Sequence, residues 1–274
     1  MSGIWPGDTR CVAMITFDMD GPSATLNRNP DLEVQPSVIS MGEFGPNVAV
    51  PRILDLLDDL GVKTTFFVPG WVAERHEDTV RDVVAHGHEV AHHGYRHEPP
   101  ATLSGDGEEG EVLDHGAEIL EGITGQRVVG YRSPSWELSA NSLDLLKERG
   151  FVYDSSLMGN DIPYFVEAEG GRMVELPVHW SLDDAPYYTY SPVAGRTGPM
   201  ATAPDVLEAW KWEFDGAHRL NRSFMLTMHP HTSGRLARLM ALEKLINYIR
   251  TYPGVEFMRC IDVAERWTDA GMSG

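Results

Sequence analysis

Apolar runs of strand length alternate with amphipathic runs of helical length from one end of the chain to the other. Cys11–Phe17 is continuously apolar, as in a strand buried on both faces, and it runs straight into Asp18, Met19, Asp20 and Gly21. Val50, Ile53, Leu54, Leu57 and Leu60 recur at helical spacing before Gly61. Thr64–Val68 reads as a second strand stopped by Pro69-Gly70, Thr79–His86 as a helix, and Glu89–His92 as a short third strand. Helices are then expected over Glu109–Glu121, Asn141–Arg149, Pro204–Asn221 and Arg235–Arg250, with a short terminal helix from about Ile261. Strands are expected at Arg127–Tyr131, Phe151–Tyr153, Met173–Val178, Phe224–Met228 and Val255–Met258. The stretch from Pro22 to about Gly45 is polar and proline-containing, and reads as a long functional loop narrowing a site together with Tyr187 and Tyr188.

Strand–helix alternation means parallel strands joined by helical crossovers, which an open doubly wound sheet and a barrel both satisfy. The polar residues favour the barrel. Asp18, His93, Arg132, Asp183 and His229 each fall at or just past the end of an expected strand, where the mouth of a (β/α) barrel gathers reacting groups. No internal repeat or composition break divides the chain, so one domain over residues 1–274 is expected.

Composition is that of an ordinary globular protein, 42% hydrophobic and 23% charged. Its formal net charge of -19 sets it against phosphate backbones and anionic membrane surfaces, which argues against a nucleic-acid or membrane partner. The N-terminus has no basic segment followed by a signal-length apolar run, and no stretch is long enough for a membrane helix, so a cytoplasmic protein is expected. Cys11 and Cys260 lie in or beside apolar strands and read as buried free thiols.

Four segments carry chemistry. In GHEVAHHGYRHEPP (Gly87–Pro100), His93 and His97 are four apart, the spacing that puts two imidazoles on one face of a helical turn and lets both grip one ion. In TFDMDG (Thr16–Gly21), alternation places Asp18 and Asp20 on the same side of an extended chain. An Asx-turn or helix cap explains one Asp there better than two, and two close carboxylates repel unless a cation or proton intervenes. One Asp with two His makes a facial ligand set that leaves positions open. Oxygen and imidazole donors without thiolate suit a divalent metal, Zn²⁺ first among them. GYRSPSW (Gly130–Trp136) aims Arg132 at the mouth, with Asp18 its available partner. In FMLTMHPHTSGR (Phe224–Arg235), His229 follows a strand and precedes a proline, which holds its backbone extended and suits a proton donor.

Taken together and in this order, the segments resemble the polysaccharide deacetylase family (carbohydrate esterase family 4, NodB-like), which has an aspartate pair after the first strand, an H-x-x-x-H segment, an R-x-P segment and a late strand ending in His. The resemblance implies an α/β fold, a single-domain distorted (β/α)7 barrel, with a divalent ion serving N- or O-deacetylation. It also implies that Asp18 is the general base, that Asp20, His93 and His97 are the metal ligands, that Arg132 steadies Asp18, and that His229 is the general acid. Pro134 and Trp136 belong to the mouth segment, and Asp183 or Asp184 is left to orient His229 or contact substrate. Met19 separates aspartates that are adjacent in most members, and HWSLDDAPYY (His179–Tyr188) stands where many have D-x-x-D-W. These features, with GEFGPNVAVPRIL from Gly42, resemble a subgroup that holds Helicobacter-type peptidoglycan deacetylases and metal-independent allantoinases. The present chain keeps the metal set that the allantoinases lack.

The expectation is a metal-dependent hydrolase of non-peptide carbon–nitrogen bonds, of the N-acetyl-sugar deacetylase type. The alternative is an amidohydrolase of cyclic imides or ureides, and a metal-binding non-enzyme ranks below both because the base and acid are both kept. The partner is a saccharide or small-molecule amide, and a homo-oligomer is compatible with the chain. The oxyanion is assigned to the ion and a backbone N–H near Tyr131–Trp136 or Gly94.

Overall fold

The computed structural model describes residues 4–103, 105 and 107–269. Its strands are β1 (Cys11–Asp18), β2 (Thr65–Val68), β3 (Glu89–His92), β4 (Gly130–Tyr131), β5 (Tyr153–Asp154), β6 (Tyr164–Ala168), β7 (Gly171–Glu175), β8 (Ser223–Met228) and β9 (Val255–Phe257). They form one sheet in the order β6-β7-β5-β4-β3-β2-β1-β8, with β9 on β1. All the pairings are parallel except the β6–β7 hairpin. The long β1 shares its ladder out along its length: Cys11–Ala13 pair with β9, Thr16–Asp18 with β2, and Val12–Phe17 with β8.

Alternation along β1 sorts its side chains between two cores. Cys11, Ala13, Ile15 and Phe17 pack with Ile53, Leu57 and Phe66 in the layer between strands and helices. Val12 and Met14 join Phe67, Ala91, Tyr153, Val174 and Met225, contributed by strands all round the sheet, so that side is the barrel interior. By the same period of two, Thr16 and Asp18 point inward above Met14. In β8, Phe224, Leu226 and Met228 belong to the helix layer and Met225 to the interior, which aims Thr227 and then His229 inward.

The expected barrel is present in distorted form. Several strands are only two or three residues long, and the end strands are not joined by a ladder. Closure rests on an isolated bridge between Asp183 and Thr227, with the Asp184 N–H donating to the Thr227 carbonyl at 3.2 Å, and on the Ser223 N–H donating to the Asp161 carbonyl at 3.0 Å.

One expectation is corrected, and two elements appear that the pattern does not mark. The Pro22–Gly45 stretch is not a loop, for it holds a helix at Ser23–Arg28, a 3₁₀ turn at Pro30–Val34 and a helix at Pro36–Phe44. Prolines begin the later pieces, Leu26, Leu32 and Val38 anchor them, and Gly42 packs so closely that a Cβ would sit 2.5 Å from the Pro22 backbone. The chain then passes through a π turn at Gly45–Ala49, where Pro46 supplies no N–H, into the expected helix Val50–Leu60. Pro69-Gly70 stops β2 as expected, and the helix Gly70–Arg75 that follows is not marked by the pattern. The partly exposed β6 has no apolar alternation strong enough to reveal it. Cys11 and Cys260 are buried and free, as expected.

Candidate active site and metal centre

Arg132 is fully buried and every nitrogen of its guanidinium is engaged. Nη1 donates to Thr16 Oγ1 and to Asp18 Oδ1, each at 2.8 Å, while Nε donates to the Ser155 carbonyl at 3.2 Å and Nη2 to Ser155 Oγ at 3.0 Å. Its face lies 4.0 Å from the centroid of Phe67. Asp18, 2% exposed, is thus held by one oxygen, and its other oxygen, Oδ2, faces His93 Nε2 at 3.9 Å. Removing one partner of such a pair strands a buried charge, at a cost of about 3–5 kcal/mol.

His93 and His97 do meet, but not on a helical turn. Residues 93–99 form an irregular loop in which His97 takes a left-handed φ of 64° and Gly94 one of 72°. At Gly94 a Cβ would also come within 3.0 Å of Pro134. Asn27, from the segment expected to be a loop, donates to the His97 carbonyl at 3.1 Å. His93 Nδ1 lies 2.7 Å from the Arg132 carbonyl, which only accepts, so Nδ1 carries the proton and Nε2 presents its lone pair. That lone pair faces Asp20 Oδ1 at 3.4 Å, and His97 Nε2 faces Asp20 Oδ2 at 3.4 Å.

The ligand atoms of Asp20, His93 and His97 all lie within 4.8 Å of one another, and buried Asp20 Oδ1 has no hydrogen-bond partner. Burial lowers His97 to about 4, so it is a neutral imidazole near pH 7. Burial acts to raise the Asp20 carboxyl, but His97, His93 and His229 outweigh it and hold the group well below the usual carboxylate range. A neutral His97, a His93 whose Nδ1 is already given to the Arg132 carbonyl, and a carboxylate with an unpartnered oxygen converge, which is the donor set a divalent cation takes.

On the far wall, His229 sits in extended backbone (φ −111°, ψ 119°) at the exit of β8. Asp184 grips it twice, accepting from Nδ1 at 2.6 Å and from the backbone N–H at 3.0 Å, and Ser233 Oγ donates to the same carboxylate. Nε2 is left facing Asp20 Oδ2 at 3.7 Å. Burial disfavours the charged ring, but Asp184 overrides it and drives His229 well above its ordinary value, with Asp183 and Asp20 adding to the effect. Asp184 is therefore the residue that orients His229. Asp183 instead accepts from the Ala185 N–H at 2.7 Å, and burial raises it to about 7.

The Gly94 N–H expected as an oxyanion donor is already given to His92 Nδ1 at 3.0 Å, so that assignment is corrected. In the mouth segment, Trp136 stacks on Trp180 at 4.2 Å. Tyr188 lines the cavity, whereas the Tyr187 hydroxyl turns away to the Ser181 carbonyl. Asp18, Asp20, His93, His97, Trp136, Asp183 and His229 all open onto one cavity of about 600 Å³. Ala24, Thr25, Arg28 and Met41 of the Pro22–Gly45 segment also line it. Arg28, Arg196, Arg235 and Arg238 line the cavity too, although no local pattern in the sequence marks them.

Behind Arg132 stands a support of two buried carboxyls. Ser156 Oγ accepts from the Ser133 N–H and donates to Asp154 Oδ1 at 2.7 Å, while Glu175 Oε1 accepts from the N–H groups of Ser156 and Leu157. Asp154 and Glu175 are register partners, and their outer oxygens, Oδ2 and Oε2, are buried with no hydrogen-bond partner among the described residues. Burial pushes both carboxyls up, and the neighbouring Asp154 carboxyl drives Glu175 further, well above its usual value; a proton shared by the pair would relieve their repulsion. A carboxyl raised in the folded state contributes stability that is complete below its unfolded value of 4.5 and shrinks as pH climbs toward its folded value. Glu175→Gln keeps both accepted bonds and offers an N–H to Asp154. In urea unfolding from pH 5 to pH 8 its stability relative to the parent should rise, by at most about 1.4 kcal/mol per pH unit. A pH-independent difference would show that no proton is shared.

Comparison with known proteins agrees with this geometry. The family model for polysaccharide deacetylase matches residues 8–153. A peptidoglycan deacetylase of Helicobacter pylori is 32% identical over 85% of this chain and 88% of its own. A Mycobacterium smegmatis protein described as a candidate polysaccharide deacetylase superposes with a TM-score of 0.94 at 38% identity, covering 98% of this chain and 94% of that one. The Puue allantoinase superposes with a TM-score of 0.83 at 25% identity, covering 98% and 94%. With its strand-end carboxylates, paired imidazoles and buried arginine set in that frame, the chain belongs to the polysaccharide deacetylase family.

Proposed function

We propose that this protein removes the acetyl group from an N-acetylated saccharide, with Asp18 as base, His229 as acid and Asp20, His93 and His97 as metal ligands. The observation that carries this reading is a single cavity in which Asp18 Oδ2 and His229 Nε2 face, from two sides, the converging ligand atoms of Asp20, His93 and His97. A divalent ion on that set, Zn²⁺ by the chemistry of its oxygen and nitrogen donors, supplies Lewis acidity that polarises the amide carbonyl and acidifies water.

The chain's own groups handle the protons. Asp18 Oδ2 takes a proton from the attacking water as the oxygen bonds to the carbonyl carbon, and Arg132 keeps that carboxylate aimed and ionised. In the mouth turn the N–H groups of Ser133 and Trp136 are already engaged and Pro134 has none, which assigns the oxyanion to the Ser135 N–H. His229 Nε2 gives its proton to the amide nitrogen as the C–N bond breaks, leaving an amine and acetate. Asp184 holds the ring through Nδ1–H and favours its charged form, so that Nε2 carries the proton to be given. Trp136 and Trp180 offer an apolar platform for a sugar ring.

Zinc-loaded protein is expected to release acetate from N-acetyl-oligosaccharides or peptidoglycan fragments. It should leave dihydrouracil, hydantoin, succinimide and allantoin unopened. Ring opening of any of these without acetate release from a saccharide would replace this reading with a cyclic-amide hydrolase.

A further inference from the structure

Charge in the cavity runs against charge in the chain. Acids outnumber bases 41 to 22 over the whole sequence. The cavity, however, is lined by three carboxylates, Asp18, Asp20 and Asp183, and by four arginines, Arg28, Arg196, Arg235 and Arg238. Asp18 is already matched by Arg132. None of the four arginines has a carboxylate within salt-bridge distance among the described residues, although 41 acids are available to a fold that pairs many others.

Their surroundings separate them into two pairs. Arg235 lies flat on Phe44 at 3.5 Å, and Arg238 lies on Tyr188 at 4.2 Å while donating to the Thr232 carbonyl. Both are anchored and lend the cavity positive potential. Arg28 comes from the segment after β1 and donates to Ser135 Oγ in the mouth turn at 3.1 Å. Arg196 is fixed through its backbone, which exchanges hydrogen bonds with Ser191 at 2.8 and 2.9 Å, and its side chain takes no hydrogen-bond partner among the described residues. Partial burial and then neighbouring Arg28 disfavour its charge, and Asp20 and Asp183 across the cavity offset them only in part. Arg28 is exposed and Arg196 half-buried, both line the same cavity, and neither guanidinium is paired with a carboxylate among the described residues, so both are open to pair with a bound anion.

We propose that the substrate carries an oxyanion in addition to its amide, and that Arg28 and Arg196 recognise it, a carboxylate fitting the planar guanidinium fork. This deepens the deacetylase reading and rests on it for the amide. The ligand becomes an N-acetylated sugar acid in preference to a neutral N-acetyl sugar, and it enters with its charged group toward Arg28 and Arg196 while the acetamide meets Asp18.

The test uses matched probes on the zinc-loaded full chain: N-acetylglucosamine, N-acetylmuramic acid, which adds a carboxylate to the same ring, and N-acetylglucosamine 6-phosphate. Acetate release should favour the carboxylate probe over the neutral one by about tenfold or more in kcat/KM, and that preference should shrink as salt is added. Arg196→Gln and, separately, Arg28→Gln should bring the ratio toward one. A larger preference for the phosphate probe, lost in the same variants, assigns the oxyanion as phosphate. Fluorescence of the stacked Trp136 and Trp180 gives a second readout that needs no turnover. N-acetylmuramic acid should bind about tenfold more weakly to Arg196→Gln than to the parent. Equal turnover of all three probes overturns the anion site and leaves the deacetylase reading intact. No acetate from any probe overturns the deacetylase reading, and the titration then decides the anion site alone. Fluorescence that answers neither anion, or answers both equally in the parent and both variants, overturns it.

Discussion

Asp18→Asn protein should keep its metal and lose about 10²–10⁴-fold in kcat/KM, the usual contribution of a positioned proton acceptor. The substituted amide retains an oxygen that can accept from Arg132, and position 18 is no ligand, so metal content should stay at the parent level. What disappears is the Oδ2 that accepts the proton of water. The matching variant on the other wall is His229→Ala, which should also keep the metal and lose activity on the same scale. The two differ in what they do to an ester analogue. An alkoxide or phenoxide leaves more easily than an amine and needs less help from a proton, so His229→Ala should harm an ester less than the amide. Asp18→Asn should harm both alike, because water attacks in both. Kinetics on an amide–ester pair, with metal analysis of each variant, check this. Equal damage to amide and ester by His229→Ala, or loss of its metal, would make His229 a ligand or a positioning residue and would remove the acid from the mechanism.

The second large effect concerns the Asp20, His93 and His97 set. Asp20 is the shared member, facing both imidazoles at 3.4 Å through different oxygens. Asp20→Ala should therefore abolish stoichiometric binding of a divalent ion, and activity with it. In the parent protein an ion that binds only the folded state raises stability by RT ln(1 + [ion]/Kd), about 4 kcal/mol at a thousandfold excess over Kd. Thermal unfolding with and without added zinc should show that rise in the parent and almost none in Asp20→Ala. His93→Ala should behave in the same way. A variant that retains a full equivalent of metal, or gains the same stability from it, would move the site elsewhere.

Much of this was open to the sequence, because the strongest signals are local and periodic. A continuous apolar strand ending in two carboxylates is visible in the ten letters from Cys11 to Asp20, and the alternation that puts Asp18 and Asp20 on one side follows from strand geometry alone. The pairing of Arg132 with Asp18 was legible for a related reason, since a cation at one strand end needs an anion at another. What failed was the conformation between landmarks. The four-residue spacing of His93 and His97 suggests a helix, yet a left-handed pair at Gly94 and His97 brings the rings together across a loop. The helices at Ser23–Arg28 and Pro36–Phe44 are too short for periodicity to register, and prolines that begin helices read as loop residues. Asp183 and Asp184 are adjacent, so only the register of the Asp183–Thr227 bridge shows which one reaches His229. Arg28 and Arg196 had no signal at all. An arginine alone in a polar stretch looks like solvated surface until the fold puts it beside another.

The bridge between Asp183 and Thr227 has a consequence for how this chain would fail. Asp20 and His93 lie on or just past β1 and β3, which a continuous ladder joins through β2. His229 and Asp184 instead flank the seam where the sheet's two ends meet by an isolated bridge and, further down, by Ser223 bonded to the Asp161 carbonyl, with no continuous ladder among the described residues. Backbone amides at such a seam exchange with solvent through small openings, while those of a ladder wait for larger ones. Each opening carries the leaving-group donor out of line and leaves the ion-binding half standing. Warming would then uncouple the two halves, and a heated sample could hold its metal in full while amide cleavage had already stopped.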